Sequence, residues 1–238
     1  MGLFSEETTS VWSFEERGSW ATHRGDYPGN CSPMVVKNIL LKYTKENDIV
    51  LDQFLGSGTT AIEALLLNRK MIGIDINKKA IDISKKRIRD ILGDCVIKLG
   101  DARKLDLHDN TVNLICTHPP YMDIIKYSND IKGDLSRVSK DEFFSSMDKV
   151  ASECYRVLRK GSKCAIIMGD IRKNGYIEPL GFKVMNIFLS NGFLLKEIII
   201  KKQHNCKSTG KWEEIAKERN FLLIQHEYIF VFEKGYLK

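Results

Sequence analysis

The 238-residue chain is long enough to bury a full hydrophobic core, and its 43% hydrophobic and 29% charged residues exclude wholesale disorder. No apolar run approaches the roughly 18–20 residues that a membrane-spanning helix needs. A net charge of +6 mildly favours a polyanionic partner, and the N-terminal residues are acidic where a signal peptide is basic, so we expect a cytoplasmic protein.

Strand and helix patterns alternate through most of the chain, after a loop-rich arm at 1–33. The apolar patterns predict five helices, at 34–44, 56–69, 77–92, 141–161 and 179–192. They predict seven strands, at 48–54, 70–76, 95–101, 111–117, 162–170, 193–203 and 220–234. This alternation is typical of an α/β fold with a doubly wound, mostly parallel seven-stranded sheet and helices on both faces. Without repeats or linkers, we expect one domain over 1–238, with its core at 34–238.

A glycine turn follows the first predicted strand. In "VLDQFLGSGTT" the strand runs into Gly56-Ser57-Gly58 and then directly into a helix. The glycines allow close approach of a ligand to the backbone, and the helix start offers unpaired N–H groups. The third glycine of a dinucleotide turn and the Gly-Lys-Ser/Thr of a phosphate loop are both missing. The turn therefore indicates a ligand site without identifying the ligand.

Acidic residues end the neighbouring strands. Asp75 follows the turn by roughly 20 residues, the distance at which a carboxylate binds a ribose hydroxyl in nucleotide-binding sheets. Asp101 ends the third strand, where it can accept a hydrogen bond from an exocyclic adenine amine. A helix N-cap or turn role is the alternative for both. Asp52, on the first strand, is either structural or in contact with an amino group of the ligand.

The glycine turn "DQFLGSGTT" at 52–60 and the strand end "THPPY" at 117–121 occur together in this sequence. Together they resemble motifs of the DNA amino-methyltransferases, which methylate exocyclic amines of adenine or cytosine with S-adenosylmethionine. Residues 52–60 match the family's cofactor turn, D-x-F-x-G-S-G-T-T, and the preceding segment resembles the Ser/Thr-Pro helix that leads into it. "HPPY" at 118–121 matches the catalytic tetrapeptide, in which Asp, Asn or Ser is followed by Pro-Pro and an aromatic residue. The resemblance covers roughly residues 30–170 and implies a Rossmann-like methyltransferase fold.

The resemblance also implies the residues that bind S-adenosylmethionine. They are Ser32, Pro33, Asp52, Phe54, Gly56, Ser57, Gly58, Thr59, Thr60, Asp75, Ile76, Asp101 and Ala102.

The tetrapeptide implies direct methyl transfer to the amine of a flipped-out base. This amine is a poor nucleophile, because its lone pair is conjugated into the ring, so acceptors must hold its N–H bonds as it attacks. The carbonyl of Pro119, fixed by the Pro119-Pro120 geometry, would be one acceptor, and Tyr121 would stack on the base. His118 departs from the family pattern. As a neutral imidazole it either accepts a second hydrogen bond or points away and leaves the work to the carbonyl.

The six cysteines indicate neither metal nor covalent chemistry. None belongs to a C-x-x-C pair, and several lie in apolar runs, as expected of reduced, buried thiols. Nothing in the chain reads Pro-Cys, the pair that carries the nucleophile of cytosine-C5 methyltransferases, so we expect neither a bound metal nor a covalent intermediate.

Two segments are candidates for contact with double-stranded DNA. The first, at 121–140, contains Lys126 and Tyr127, and the second, at 203–219, is a polar insertion before the last strand. The lysines in or beside this insertion are Lys201, Lys202, Lys207 and Lys211. Solvated surface is the alternative for both segments.

Motif order leaves the substrate open. The Pro-Pro-Tyr segment usually precedes the glycine turn in the members with the closest cofactor motif, whereas here it follows, and no sizeable recognition domain remains after residue 170. We expect a DNA methyltransferase acting on cytosine N4 or adenine N6. An RNA amino-methyltransferase and a non-catalytic nucleic-acid-binding subunit are the alternatives. A homodimer and a separate specificity or restriction subunit are both open as partners.

Overall fold

The computed structural model of the protein describes residues 6–122, 125–128, 130–204 and 209–235. Its strands are β1 (Val11–Ser13), β2 (Ile49–Asp52), β3 (Lys70–Asp75), β4 (Cys95–Leu99), β5 (Val112–Thr117), β6 (Leu158–Met168), β7 (Ile171–Lys173), β8 (Tyr176–Glu178), β9 (Phe193–Lys202) and β10 (His226–Lys234). Its helices are α1 (Pro33–Tyr43), α2 (Thr59–Leu66), α3 (Lys78–Ile88), α4 (Lys140–Val157), α5 (Leu180–Ser190) and α6 (Thr209–Glu218).

The predicted doubly wound, mostly parallel sheet is confirmed. Its strand order is β1-β9-β10-β6-β5-β2-β3-β4, and only β10 runs antiparallel to its neighbours, β6 and β9. The seven predicted strands form the body of this sheet, and the arm adds β1 as an eighth strand at its edge. Strands β7 and β8 form a separate hairpin. The carboxyl ends of β2, β3, β4 and β5 therefore meet along one edge, where ligands bind in such sheets.

Two hydrophobic layers cover the two faces of the sheet. Neighbouring residues of β2 point in opposite directions, so Val50 packs with Ile39 of α1, whereas Leu51 belongs to the layer that contains Phe143 of α4 and Phe188 of α5. All five side chains are fully buried. Because each face is closed by helices, the edge of the sheet remains as the place for a site. No helix among the described residues is long and apolar enough to cross a membrane.

The structure differs from the sequence prediction at the end of α4 and before the last strand. Helix α4 ends at Val157 rather than at 161, because Leu158 already pairs with Val112 of β5. Gly161 has a φ of +74° and lies at an irregularity in that pairing, so it marks a bulge and not a helix cap. The last strand begins at His226 instead of 220, and the polar insertion contains α6.

Candidate functional site

The glycine turn is tied to the next strand by Asp75. Both turn glycines take left-handed conformations, with φ of +53° at Gly56 and +86° at Gly58, which cost other residues free energy. The two carboxylate oxygens of Asp75 accept from the backbone N–H of Gly56 and of Asn77, each at 2.8 Å. Burial raises the pKa of Asp75, and these two hydrogen bonds oppose the rise. The turn is thereby fixed against the end of β3.

Asp52 lies buried at the end of β2. Its Oδ1 accepts from the Thr117 hydroxyl at 2.7 Å and from the Phe54 backbone N–H at 3.1 Å. Burial raises the pKa of Asp52 to about 6, although the hydrogen bonds from Thr117, Thr60 and Phe54 lower it. The charged form of this carboxylate is thus the one that the protein interior disfavours.

Around these acids is a first cavity, partly open to solvent. The residues predicted to bind the cofactor that line it are Asp52, Phe54, Gly56, Ser57, Thr59, Thr60, Asp75, Ile76, Asp101 and Ala102. Three other predicted residues lie outside this lining. Gly58 is the N-cap of α2, Ser32 donates its hydroxyl hydrogen to the backbone carbonyl of Arg17, and Pro33 begins α1.

Asp101 is held by a neighbouring guanidinium. Arg103 Nη2 lies 2.6 Å from Asp101 Oδ2, and the Arg103 backbone N–H donates to Oδ1 at 2.9 Å. Burial raises the pKa of Asp101, but the hydrogen bonds and the charge of Arg103 outweigh burial and bring it below its ordinary value. Asp101 is therefore an ionised acceptor at the rim of the first cavity.

Two residues that line the first cavity, Gln53 and Ser57, each have a buried side-chain oxygen without a hydrogen-bond partner among the described residues. The hydroxyl oxygen of Ser57 is buried and makes no hydrogen bond within the described part of the chain. Buried polar atoms are nearly always paired, and an unpaired one calls for an explanation. A polar ligand in the cavity would supply the missing partner.

The arm and the segment after the tetrapeptide close over the first cavity. Tyr27 and Tyr127 stack with ring centroids 6.3 Å apart, and the Asn77 amide donates to the backbone carbonyl of Tyr127 at 2.9 Å. A Cβ at Gly29 would lie 1.9 Å from the Tyr127 hydroxyl, so this approach requires glycine. Tyr127, predicted to contact nucleic acid, thus lines the cavity, as does Asn30 of the arm, which sequence analysis did not identify.

A second, more open cavity lies beside the first, and the tetrapeptide stands between them. His118 lines both cavities, Pro120 lines the first, and Pro119 and Tyr121 line the second. Met122 then reverses the chain with a φ of +53°, a strained conformation for this residue and one that recurs at functional sites. A group held in either cavity would therefore face His118 and the prolines.

A chain of hydrogen bonds runs from the tetrapeptide into the sheet. His118 Nε2 lies 2.6 Å from the Tyr121 hydroxyl oxygen, which lies 2.9 Å from Glu227 Oε1. Lys201 Nζ lies 2.8 Å from Glu227 Oε2. Lys201, predicted to contact the nucleic-acid backbone, is therefore largely buried in an ion pair. Glu227 was missed, although a glutamate inside the apolar run of the last strand is a usable signal.

The protonation states of the groups in this chain of hydrogen bonds follow from their surroundings. Burial lowers the pKa of His118, with the charge of Glu227 opposing. Burial also raises the pKa of Tyr121 well above its ordinary value. For Glu227, burial raises the pKa, but Lys201 and His118 outweigh burial and lower it. The group consequently comprises a neutral imidazole, a neutral phenol, a carboxylate and an ammonium.

The Tyr121 ring rests on the end of β6. A Cβ added at Gly169 would lie 2.9 Å from Tyr121 Cε2, too close to be accommodated without a shift of the ring. The backbone at Gly169 thus forms a flat seat for the aromatic ring beside the second cavity.

Two of the remaining residues predicted to contact nucleic acid have described side chains. Lys126 and Lys202 are exposed, and Lys202 ends β9. Lys211 belongs to α6, and Lys207 lies outside the described residues.

A family model described as DNA methylase, of the N6/N4 type, matches residues 4–86 and 112–238, and a general methyltransferase-domain model matches residues 55–166. The type II methyltransferase M2.LlaDCHI of Lactococcus lactis subsp. cremoris is 46% identical over 86 residues, which are 35% of this chain and 31% of that protein. The type II methyltransferase M2.MboI of Moraxella bovis is 34% identical over 86 residues, 36% of this chain and 32% of that protein. The chain thus spans about a third of the length of these curated relatives.

A relative of another kind matches over a longer stretch. The tRNA (guanine(10)-N2)-dimethyltransferase of Pyrococcus abyssi is 28% identical over 159 residues, 66% of this chain and 44% of that protein.

Solved structures share the fold. An S-adenosylmethionine-dependent methyltransferase of Methanosarcina mazei has a TM-score of 0.59 at 15% identity and covers 84% of this chain and 98% of its own. The phosphoethanolamine N-methyltransferase 2 of Haemonchus contortus, in complex with S-adenosyl-L-methionine, has a TM-score of 0.57 at 14% identity and covers 85% of this chain and 52% of its own. At this identity the likeness concerns the fold alone.

Proposed function

This chain belongs to the N6/N4 DNA methylase family, and from that premise we propose that it transfers a methyl group from S-adenosylmethionine to an exocyclic amine of a base in DNA. The observation that carries the proposal is the position of residues 118–121 between two adjoining cavities, with His118 lining both. A wall shared by two ligand sites is where a group would pass from donor to acceptor, since both reactants meet the same side chains.

The first cavity suits the cofactor. When bound, S-adenosylmethionine supplies a methyl group on a positively charged sulfur. Asp75 and Asp101 would hold hydroxyl and amine groups of the nucleoside, and Ser57 would gain the hydrogen-bond partner that it lacks. Asp52 would offer a negative charge to the cationic part of the molecule. Tyr27 and Tyr127 would exclude water from above.

The second cavity suits a flipped base. The Tyr121 ring, seated on Gly169, would stack on the base. The Pro119 carbonyl would accept one amine N–H, and His118 the other, since burial favours its neutral form. Such a site needs no strong base, because the amine proton can leave late. Its contribution is to hold the nucleophile in line and to stabilise charge as it develops.

RNA is the second candidate substrate. The tRNA methyltransferase of Pyrococcus abyssi matches a larger share of this chain than the two DNA methyltransferases do. Methylation of guanine N2 in RNA would use the same arrangement, an exocyclic amine against paired acceptors. Among the DNA bases, adenine N6 and cytosine N4 are both open.

The decisive experiment is methyl transfer from labelled S-adenosylmethionine to duplex DNA, single-stranded DNA and bulk tRNA. Mass spectrometry of the nucleosides then identifies the methylated base. We expect DNA to be the preferred acceptor. Tyr121→Ala and Pro120→Ala should each lower the transfer rate by roughly 10²-fold, the scale of a lost positioning contact, while cofactor binding persists.

A matched control is Tyr176→Ala, which truncates a tyrosine that is 80% exposed on the β7–β8 hairpin. It should leave the transfer rate unchanged. Full activity of both tetrapeptide variants would refute the assigned site, and exclusive labelling of tRNA would replace DNA by RNA as the substrate.

A further inference from the structure

We propose that Glu227 and Lys201 are positioning residues that hold His118, through the hydroxyl of Tyr121, in the tautomer whose Nδ1 accepts a hydrogen bond. The inference rests on the proposed function, in which the amine of the base needs an acceptor at position 118. It accounts for a histidine where the family resemblance leads us to expect Asp, Asn or Ser. A histidine nitrogen can accept only if the proton is on the other nitrogen.

The direction of the hydrogen bonds that join His118, Tyr121 and Glu227 follows from counting their protons. A carboxylate only accepts, so at 2.9 Å the Tyr121 hydroxyl must donate its single hydrogen to Glu227. The same oxygen lies 2.6 Å from His118 Nε2 and has only lone pairs left for it. His118 must therefore donate, which places its hydrogen on Nε2. A neutral imidazole carries one N–H, and Nδ1 is left as an acceptor.

The charges around His118 support the neutral form. The titratable groups that face it are Tyr121, Glu227, whose Oε1 is 3.9 Å from Nε2, and Lys201. Burial and Lys201 disfavour an imidazolium and outweigh Glu227. No atom of the described residues hydrogen-bonds Nδ1, and His118 lines both cavities. Nδ1 is thus available to a ligand.

Lys201 has a separate role in this chain of hydrogen bonds. It forms a Cα pair with Glu227 across β9 and β10, so the backbone of the sheet fixes the two side chains against each other. Its ammonium keeps Glu227 ionised in a buried position. A protonated Glu227 would donate to Tyr121, Tyr121 would then donate to His118 Nε2, and the imidazole hydrogen would move to Nδ1. The ion pair therefore determines which way every hydrogen bond in the chain points.

Glu227→Gln tests this direction without changing the volume of the side chain. Lys201 can only donate, so it will take the amide oxygen and turn the amide N–H₂ towards Tyr121. The hydrogen bonds between position 227, Tyr121 and His118 then reverse their direction, and His118 Nδ1 becomes a donor. We expect kcat to fall on the order of 10- to 100-fold, the effect of one lost hydrogen bond to the reacting amine, with little change in cofactor affinity.

The matched control is Glu233→Gln on the same strand. Glu233 pairs with Lys163 at 3.3 Å and is away from the tetrapeptide, so kcat should be unchanged. Tyr121→Phe keeps the ring and removes the link. In that background Glu227→Gln should add less than about a twofold further loss, as expected when two residues act through one path.

Lys201→Met gives a pH signature. Without the ammonium, burial will favour the protonated Glu227, and raising the pH should restore part of the lost kcat by ionising it. If Lys201 had only a structural role, the loss of kcat in Lys201→Met would not depend on pH.

The readout that needs no activity is ¹⁵N NMR of histidine-labelled protein, with His118→Gln to assign the resonance among the five histidines. The expected result is hydrogen on Nε2 in the wild type and on Nδ1 in Glu227→Gln. The inference would be overturned by a hydrogen on Nδ1 in the wild type. It would also be overturned if Glu227→Gln lowered kcat by the same factor with and without the Tyr121 hydroxyl. Absence of methyl transfer to any nucleic acid would instead refute the proposed function, and the NMR result would still decide the tautomer.

Discussion

Replacing Asp52 by asparagine should stabilise the protein at neutral pH while weakening cofactor binding. Asp52 is 4% exposed, and burial raises its pKa from 3.8 to about 6. A folded state with a raised carboxyl pKa binds the proton more tightly than the unfolded chain does. The resulting stability is fully present below about pH 4 and is lost as the pH rises through about 6.

The magnitude follows from the shift. At about 1.4 kcal/mol per pKa unit, a shift of about two units corresponds to about 3 kcal/mol, of which roughly half is lost between about pH 5 and about pH 8. Asparagine keeps an oxygen that accepts from Thr117 and Phe54 but has no charge to bury. Any cost of the new amide is the same at both pH values. The substitution should therefore be more favourable by about 1.4 kcal/mol at about pH 8 than at about pH 5.

The assay is urea unfolding of wild type and Asp52→Asn at both pH values, without cofactor, followed by circular dichroism. Asp101→Asn is a control in which the stability change should depend on pH in the opposite direction. Arg103 holds the Asp101 pKa below its ordinary value, so the stability from Asp101 is present at higher pH and is lost as the pH falls. A pH-independent effect of Asp52→Asn, or a larger stabilisation at the lower pH, would refute the reasoning. Calorimetric titration should show weaker binding of S-adenosylmethionine by Asp52→Asn, whereas unchanged binding would make Asp52 structural.

Three further substitutions or conditions give simple outcomes. Gly169→Ala should lower kcat about 10-fold or more with unchanged cofactor affinity, because its Cβ displaces the Tyr121 ring, and equal kcat would contradict the seat assigned to Gly169. Lys234→Met should lower the free energy of unfolding by about 2–4 kcal/mol in urea titrations, since it leaves the carbonyls of Tyr155 and Leu158, at the C-terminal end of α4, without their donor. The kcat of the wild type should remain level as the pH falls to the ordinary histidine range and decline only below it, because the pKa of His118 is lowered and its neutral form is needed. A decline that begins above that range would contradict a neutral, buried His118.

The residues that line the first cavity could be brought together from the sequence because parallel strands end at one edge of a sheet. Asp52 and Asp75 end β2 and β3, and residues 118–121 follow β5, so a correct strand assignment brings them together without further information. The glycine turn further indicated that backbone groups form one side of the site. Local pattern and one topological rule were sufficient there.

The Glu227–Lys201 pair could not be located in the same way. Glu227 is 106 residues from Tyr121 in the chain, and the two meet only because β10 enters the sheet antiparallel, between β6 and β9. A shift of one residue in that register would turn Glu227 to the opposite face. Sequence alone gives the strand but not its register, and so Lys201 was predicted to be a surface lysine.

Two other differences from the sequence prediction have identifiable causes. Helix α6 has an amphipathic pattern in Trp212, Ile215 and Ala216, which its many charges obscured in the sequence. The fourth helix was predicted to continue to 161, but pairing with β5 already begins at Leu158. Tertiary pairing here overrides a local signal.

The histidine at 118 and the glutamate at 227 are best understood as one unit. An aspartate at 118, as the family resemblance leads us to expect, would place a second anion close to Glu227, whose Oε1 is 3.9 Å from His118 Nε2. The aspartate side chain is shorter, so its carboxylate would lie farther from Glu227 than Nε2 does, but two carboxylates in one buried site still oppose each other's ionisation. A neutral imidazole avoids this conflict, but only if its hydrogen is kept on Nε2. Strands β9 and β10 supply that control through Lys201 and Glu227.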